Sequence, residues 1–430
     1  MRPDARRLAL ALAAVTVMGL GCGDNVRTLR IGVIVDCVGV NRSLGDAELS
    51  AAALPLIERG ARVRGPLSEG GLTRPRIAGR RVELVRGCTE ALEFSTLAAE
   101  MRRLVEHEHV DVVLGAGTGP DEIAMRDVAR LYPRVAFVPL VHGPREVTLR
   151  ETAANVYRFT ADQEQGTAGL ATYAYRQLGW RRAAVVLANW DPGWSGRDTF
   201  VAEFCALGGT VTHQVAIDFF EPAGRDVARV PRRVDGVAVF ATKFFGPAGF
   251  LRRLAATSGD PARRILVGPG VADDGDLLPA TGGALAGTIA SSAIEPARLR
   301  AYMRAFARVF PGIPQRVAGD TMITSYRDAM EAVIESLEQR PADRTARMTT
   351  LLSRARPQLL GGPVRLDAHG QAVVSTTLVR LRPPSAGALE PVQTVRGVDQ
   401  SVGGLLAPTL SPNDRPAACR RGSAPPPWAR

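Results

Sequence analysis

A turn of small residues is the segment of this 430-residue chain best suited to hold a ligand. The turn Gly115–Pro120 (GAGTGP) follows the apolar run Val110–Leu114 and opens the helical pattern Asp121–Leu131. Free N–H groups at a helix N-terminus attract anions, and Thr118 adds a hydroxyl. The pattern predicts a cradle for a carboxylate, and a plain strand-to-helix turn is the alternative.

Motifs that would indicate an enzyme are absent from the sequence or incomplete. The segment 193–196 (GWSG) lacks the spacing of a nucleophile elbow, in which glycines stand two residues before and two residues after the serine. The segment 107–109 (HEH) ends a predicted helix just before a strand, at the end of the sheet opposite to a ligand cleft. It indicates a solvated turn rather than a metal site. No phosphate-binding loop occurs, so we expect no enzyme, no metal and no cofactor.

The formal net charge of +11 raises the question of nucleic-acid binding, because basic proteins attract polyanions. Lys243 is the only lysine, so nearly all of the positive charge is arginine, and the arginines are spread over every segment. The sequence has no Lys/Arg run with interleaved aromatic residues and no known nucleic-acid motif. We therefore expect no binding to nucleic acid.

The first 22 residues are typical of a bacterial export signal. A basic start precedes the apolar run Leu8–Leu20, which is too short to span a bilayer as a stable helix. The segment 19–22 (GLGC) is similar to a lipobox, with glycine where leucine is usual. We expect removal of residues 1–21 and a lipid on Cys22 that anchors the chain to a bacterial membrane, in the periplasm or another extracytoplasmic compartment. An ordinary signal peptide with an accidental cysteine is the alternative.

Strand and helix patterns alternate along the chain, which predicts an α/β fold with doubly wound parallel sheets. The alternation restarts near residue 160 and again near residue 290, which predicts two lobes joined by three crossovers. We assign residues 27–158 and 291–356 to lobe one, and residues 159–290 and 357–383 to lobe two. The Pro-, Gly- and Ser-rich segment 384–430 is predicted to be a disordered tail.

Four cysteines remain if Cys22 carries lipid, an even number that suits an oxidising compartment. Cys37 follows the first predicted strand and Cys88 follows the second, at the same end of neighbouring strands about 4.8 Å apart. This placement predicts a disulfide between them, with two free buried thiols as the alternative. Cys205 and Cys419 are left to pair by default.

Five segments, in their order and spacing, resemble the leucine/isoleucine/valine-binding type of periplasmic substrate-binding protein over about residues 28 to 383. They are LRIGVIVD, AGRRVELVRGCTE, HVDVVLGAGTGPDEIA, YRFTADQEQG and GGPVRLDAHGQ. In that family, with its type I periplasmic-binding fold, two lobes close on a small ligand that an ATP-driven (ABC-type) permease receives. The resemblance therefore implies a binding protein, here expected to be a monomer, rather than an enzyme.

The resemblance also nominates the residues that would touch the ligand. Asp162 would meet an ammonium group, with a helix N-cap before Gln163 as the alternative. Trp194 stands where the family often has an aromatic residue in lobe two, although it could instead cover a hydrophobic edge. Lys243 or Phe244 stands where the family has a tyrosine. The full set is Gly117, Thr118, Val141, His142, Asp162, Trp194, Lys243 and Phe244.

Departures from the family's pattern bear on the ligand. The segment 268–271 (GPGV) stands where amino-acid binders carry an acid in a G-P-E-G loop, although Asp273 and Asp274 lie close in the sequence. Lys243 stands at a usually neutral position, and a buried lysine needs an anionic partner. We expect a small carboxylate-bearing ligand with more negative charge than a branched-chain amino acid. Asp162 keeps an acidic or amide-bearing amino acid open.

Two roles remain open for such a protein. The first is a transport receptor that delivers its ligand to a permease. The second is a lipoprotein of the same fold that senses a ligand or regulates an envelope partner without transport.

Overall fold

The computed structural model describes most of the chain from residue 27 to residue 429. The described ranges are 27–39, 41–90, 93–140, 143–150, 152–217, 226–241, 246–272, 277–343, 345–383, 389–407, 417–420 and 422–429.

The strands form two large sheets and one small one. Their bounds are β1 Leu29–Asp36, β2 Arg76–Ile77, β3 Arg80–Thr89, β4 Val112–Gly115, β5 Ala136–Pro139, β6 Arg182–Ala188, β7 Thr210–Ile217, β8 Gly236–Phe240, β9 Ile265–Val267, β10 Ile289–Ser292, β11 Gln358–Leu359, β12 Gly362–Pro363, β13 Arg365–Leu366, β14 Ala372–Leu381 and β15 Leu389–Val398.

Helices cover the faces of the large sheets. Their bounds are α1 Gly45–Glu58, α2 Phe94–Glu106, α3 Gly119–Ala129, α4 Glu146–Leu149, α5 Gln163–Thr167, α6 Leu170–Arg176, α7 Asp191–Ala206, α8 Ala248–Ser258, α9 Pro261–Arg264, α10 Pro269–Ala272, α11 Leu277–Ala280, α12 Pro296–Val309, α13 Gln315–Ala318, α14 Thr321–Glu338 and α15 Met348–Leu352. No helix in the described ranges is long and apolar enough to cross a membrane.

The first sheet has the order β2-β3-β1-β4-β5, and all of it is parallel except the short β2. Its core includes side chains of α1, α12 and α14 on one face and of α2 and α3 on the other. Because helices cover both faces, the strands are continuous apolar runs such as LRIGVIVD.

The second sheet has the order β13-β14-β10-β9-β8-β6-β7, with β15 added beside β14. Its strands β6 to β10 are parallel, and β14 runs antiparallel to its neighbours β10, β13 and β15. Strand β10 ends at Ser292 inside this sheet. The two sheets give the α/β fold with two lobes, joined between β5 and α5, β10 and α12, and α15 and β14.

The C-terminal segment corrects one prediction. Residues 389–398 form strand β15 instead of a disordered tail, and Val395 and Val398 are buried in an apolar cluster that also includes side chains of α1, α12, α14 and β14. Farther along, Cys419 is bonded to Cys205 with a Cα–Cα distance of 5.5 Å. The composition of the segment concealed this order because its prolines and glycines flank a short strand that an existing sheet edge completes.

A second disulfide joins Cys37 to Cys88 beside the cleft edge of the first sheet, with a Cα–Cα distance of 5.6 Å. The parallel register places Val35 opposite Cys88, so Cys37 leaves β1 next to the end of β3.

Candidate functional site

The first wall of the candidate site is the edge where β1, β4 and β5 end. These strands are parallel neighbours, so their carboxyl ends lie side by side. In open α/β sheets ligands bind at this edge, because the following helices present their N-termini there. Asp36 ends β1, and the turn that begins at Gly115 leads from β4 into α3. The predicted cradle and Asp36 therefore share one edge.

Thr118 is the N-cap of α3. The backbone N–H of Asp121 donates to Thr118 Oγ1 (3.3 Å), and the Thr118 hydroxyl donates to Asp121 Oδ2 (2.6 Å). Both side chains are buried. The cradle is thus held in shape by its own hydrogen bonds, and an acid stands in the first turn, where the helix dipole favours it.

Asp36 faces this turn from the end of β1. Its Oδ2 atom lies 3.9 Å from the point where a Cβ atom on Gly117 would stand. The side chain is 4% exposed, and Oδ2 accepts no hydrogen bond. Burial raises the pKa of Asp36 to about 6; a hydrogen bond from Asn41 lowers it, and the nearby Asp121 carboxylate raises it. The first wall is therefore acidic.

The second wall lies where β6 of the other sheet ends and α7 begins. Trp194 is half-buried in the first turn of α7, where its indole N–H donates to Asn189 Oδ1 (3.3 Å). The ring packs against the apolar core beside β6 and β8. Trp194 thus covers an edge of this core and stands next to Asp191, the first residue of α7.

The two walls meet at Gly119 and Asp191. A Cβ atom on Gly119 would stand 3.2 Å from Asp191 Oδ2, and 2.8 Å from the Pro144 ring. Burial raises the pKa of Asp191 to about 7, the neighbouring Glu146 raises it further, and Arg158 lowers it. Asp191 Oδ2 accepts no hydrogen bond. An acid of the second lobe therefore lies against the N-terminus of a first-lobe helix.

A buried arginine forms the floor between the walls. Arg158 is 0% exposed, and its guanidinium donates to Glu122 Oε2 (2.9 Å), to the Pro144 carbonyl (3.0 Å) and to Gln371 Oε1 (2.5 Å). These partners come from α3, from the loop after β5 and from the turn before β14. Arg158 therefore ties three separate segments together where the lobes join.

Asp162 lies on the same floor as the N-cap of α5. Its carboxylate accepts from the Gln165 backbone N–H (2.7 Å), and the Gln165 side chain accepts from the Asp162 backbone N–H (2.9 Å). The second carboxylate oxygen lies 3.4 Å from Gln400 Nε2 and 3.9 Å from Arg158. Burial raises the pKa of Asp162. These contacts are those of a helix N-cap, the alternative role considered for Asp162.

Four of the nominated ligand residues, Val141, His142, Lys243 and Phe244, lie outside the described residues, as does Cys22. Of the others, Gly117 and Thr118 lie at the turn before α3, Asp162 is the N-cap of α5, and Trp194 lies in the first turn of α7. In the ranges that the structure describes, no three His, Cys, Asp or Glu side chains form a group that could hold a metal ion.

Sequence reasoning did not nominate Asp36, Glu146 and Asp191. A simple rule would have found Asp36 and Asp191, because each is the acid nearest the carboxyl end of a parallel strand. Asp36 ends β1, and Asp191 follows β6. Glu146 begins a short helix seven residues after β5, a distance that no local pattern connects to the cleft.

The sequence matches the protein family described as periplasmic binding protein over residues 28–388. No curated protein matches it significantly.

Solved structures share the fold at low sequence identity. An ABC transporter substrate-binding protein from Sphaerobacter thermophilus is 19% identical with a TM-score of 0.72, over 87% of this chain and 99% of that one. An ABC transporter solute-binding protein from R. palustris, in complex with benzoate, is 20% identical with a TM-score of 0.68 (88% and 99%). The branched-chain amino acid transporter substrate-binding protein from Streptococcus pneumoniae, in complex with isoleucine, is 16% identical with a TM-score of 0.66 (86% and 100%).

Proposed function

This chain belongs to the periplasmic binding protein family, and on that premise we propose that it captures a small carboxylate-bearing solute between its lobes and delivers it to an ABC-type permease. One observation carries the proposal. Asp191, which follows β6 of the second sheet, lies against Gly119, which follows β4 of the first sheet. Buried polar atoms on both walls, at Asp36 and Asp191, accept no hydrogen bond from the protein. A ligand between the walls would supply partners for them.

The carboxylate is supported by the N-terminus of α3. The helix has 11 residues, and its dipole places about half a positive charge at the turn Gly117–Gly119. Benzoate and isoleucine, which are bound by the R. palustris and S. pneumoniae proteins, both bear a carboxylate. Val141, His142, Lys243 and Phe244 are proposed to complete the site.

The family places the protein outside the cytoplasm, and we propose that a lipid on Cys22 keeps it at the membrane. Palmitate labelling of cells that express the full chain tests the anchor. The Cys22→Ser variant should lose the label, and a variant that keeps it would contradict the anchor without affecting the binding proposal.

A thermal-shift screen of the purified protein tests capture. The probes are the twenty amino acids, their deaminated acids, benzoate, 4-hydroxybenzoate and glutarate. A ligand at 100 times its Kd should add about 2.7 kcal/mol to the free energy of unfolding. If no probe raises the melting temperature, the proposed capture of a carboxylate-bearing solute is wrong.

A further inference from the structure

Pairs of consecutive arginines lie at the edge of the second sheet that is opposite to the candidate site. The pairs are residues 181–182, 232–233, 252–253 and 263–264. The first and last of them stand at the amino ends of β6 and β9, and the second shortly precedes β8, which lies between those strands. Neighbouring strands are about 4.8 Å apart, so these three pairs share one edge. The remaining pair lies on α8, the helix between β8 and β9.

The positive charge at this edge exceeds the negative charge. All of these arginines are exposed except Arg264, which is half-buried. In the part of the chain that the structure describes, none of their guanidinium groups forms an ion pair with an acid. Asp235, an acid on this edge, accepts instead from the backbone N–H groups of Arg181 (2.7 Å) and Arg182 (2.8 Å). The guanidinium groups are therefore available to an anionic partner.

The corresponding edge of the first sheet carries arginines that are paired with acids. Arg30, in β1, lies 3.2 Å from Glu83 Oε2, and Arg27, just before β1, lies 3.7 Å from Asp111 Oδ1. Arginines occur at the same edge of both sheets, yet acids pair with them only in the first. The excess charge at the second edge is thus a local feature rather than a uniform consequence of the arginine-rich composition.

A groove of about 1010 Å³ opens among the arginines of the second sheet. Arg232, Arg253 and Arg264 line it, each from a different element. Its apolar lining includes Val230, Val237 and Leu254. A guanidinium binds a phosphate through two parallel N–H···O bonds. Positive charge and apolar surface in one groove suit an amphiphile with a phosphate headgroup.

We propose that this edge of the second lobe is a docking surface for a membrane that contains anionic phospholipid. The family places the protein outside the cytoplasm, where a phospholipid surface is present. Clustered arginines strengthen the attraction to such a surface, and the apolar groove adds contact area. Because the candidate site lies at the carboxyl ends of the strands, a membrane at their amino ends leaves that site open. The docking surface is separate from the proposed lipid on Cys22.

Sedimentation with lipid vesicles tests the proposal. Every sample is the full chain with Cys22→Ser, so that no lipid is attached. The vesicles consist of phosphatidylcholine alone or of an equimolar mixture with phosphatidylglycerol. We expect at least tenfold tighter binding to the mixed vesicles. Arg232→Gln/Arg233→Gln should weaken that binding at least tenfold, because each basic residue near an anionic surface contributes about fivefold.

A matched control separates the surface from net charge alone. Arg354→Gln/Arg356→Gln removes the same charge from two exposed positions after α15 and should change binding less than twofold. Arg252→Gln/Arg253→Gln, on α8, repeats the test independently and should also weaken binding at least tenfold. Because all of these side chains are exposed, the variants should keep the melting temperature of the parent chain.

Three results would overturn the proposal. The first is equal affinity for both kinds of vesicle, and the second is an equal loss of binding in the Arg232/Arg233 and Arg354/Arg356 variants. The third is binding to poly-glutamate without binding to the mixed vesicles, which would assign the edge to an acidic protein. None of these results bears on solute capture, which the thermal-shift screen tests separately.

Discussion

The two ends of helix α7 carry buried acids that differ in how many hydrogen bonds they accept. Glu203, near the C-terminal end, accepts from the backbone N–H groups of Gly169 (3.0 Å) and Thr172 (3.2 Å), from the Thr172 hydroxyl and from the Trp428 indole (3.0 Å). Asp191, at the N-terminal end, leaves Oδ2 without a donor. One helix thus holds an acid whose hydrogen bonds are made and an acid with an oxygen free to bind.

The difference distinguishes a carboxylate that fastens protein segments together from one that we propose a ligand would satisfy. Glu203 fastens the C-terminal segment to α6 and α7, where the Cys205–Cys419 disulfide adds a covalent link. Asp191 leaves one carboxylate oxygen without a hydrogen bond, and the burial of its charge costs stability. A binding protein keeps such an unfavourable group because a ligand offsets the cost on closure.

Substituting the buried Arg158 should have the largest effect on the free energy of unfolding. Arg158→Met removes the guanidinium that is paired with the buried Glu122 carboxylate, so we expect a loss of about 3–5 kcal/mol in the free energy of unfolding. Urea denaturation measures it. The double variant Arg158→Met/Glu122→Gln should recover part of the loss, and the exposed Arg354→Ala should stay within about 0.5 kcal/mol of wild type. A loss below 1 kcal/mol would show that Arg158 does not tie the lobes.

Substituting Glu203, the acid whose hydrogen bonds are made, should have the second-largest effect on stability. Glu203→Gln keeps the size of the side chain but turns an N–H group toward donors, so about 1–3 kcal/mol should be lost. The melting temperature and hydrogen exchange of residues 422–429 report it. Unchanged exchange there would mean that Glu203 does not hold the C-terminal segment.

The matched substitution at the other end of the helix should have the opposite sign. Asp191→Asn removes a carboxylate that burial penalises and should stabilise the free protein by about 1–2 kcal/mol at pH 8. The pKa of Asp191 is 3.8 in the unfolded chain and about 7 in the folded protein. The free energy of unfolding of the wild-type protein therefore falls, relative to that of Asp191→Asn, as the pH rises between those two values. Chemical denaturation at pH 4 and pH 8 should show the gain only at pH 8. Destabilisation at pH 8 would contradict the contrast with Glu203.

The smallest effect is expected at the cradle. Thr118→Val removes the N-cap of α3 while keeping the side-chain shape, and should cost about 1 kcal/mol. Thr118→Ser is the control and should retain most of the stability. Equal melting temperatures for the valine and serine variants would mean that the cap hydrogen bond contributes nothing.

The alternation of strands and helices predicted the fold because each buried parallel strand is a continuous apolar run. The cradle was also predictable, since Thr118 and its glycines follow a strand directly. The contact between Asp191 and Gly119 was not, because it joins residues 72 positions apart across two lobes, whose approach no local pattern records. Strand β15 was not predicted because its pairing with β14 at the edge of the sheet, rather than its own composition, orders it.

Hydrogen–deuterium exchange of the wild-type protein, with and without the tightest-binding probe of the thermal-shift screen, tests the central claim most directly. If the ligand binds between the walls, peptides that cover residues 116–122 and 190–196 should both become protected. Peptides that cover residues 422–429 should not change. Protection of one wall alone, or of neither wall while the probe is bound, would contradict the claim that the ligand lies between Asp191 and the turn before α3.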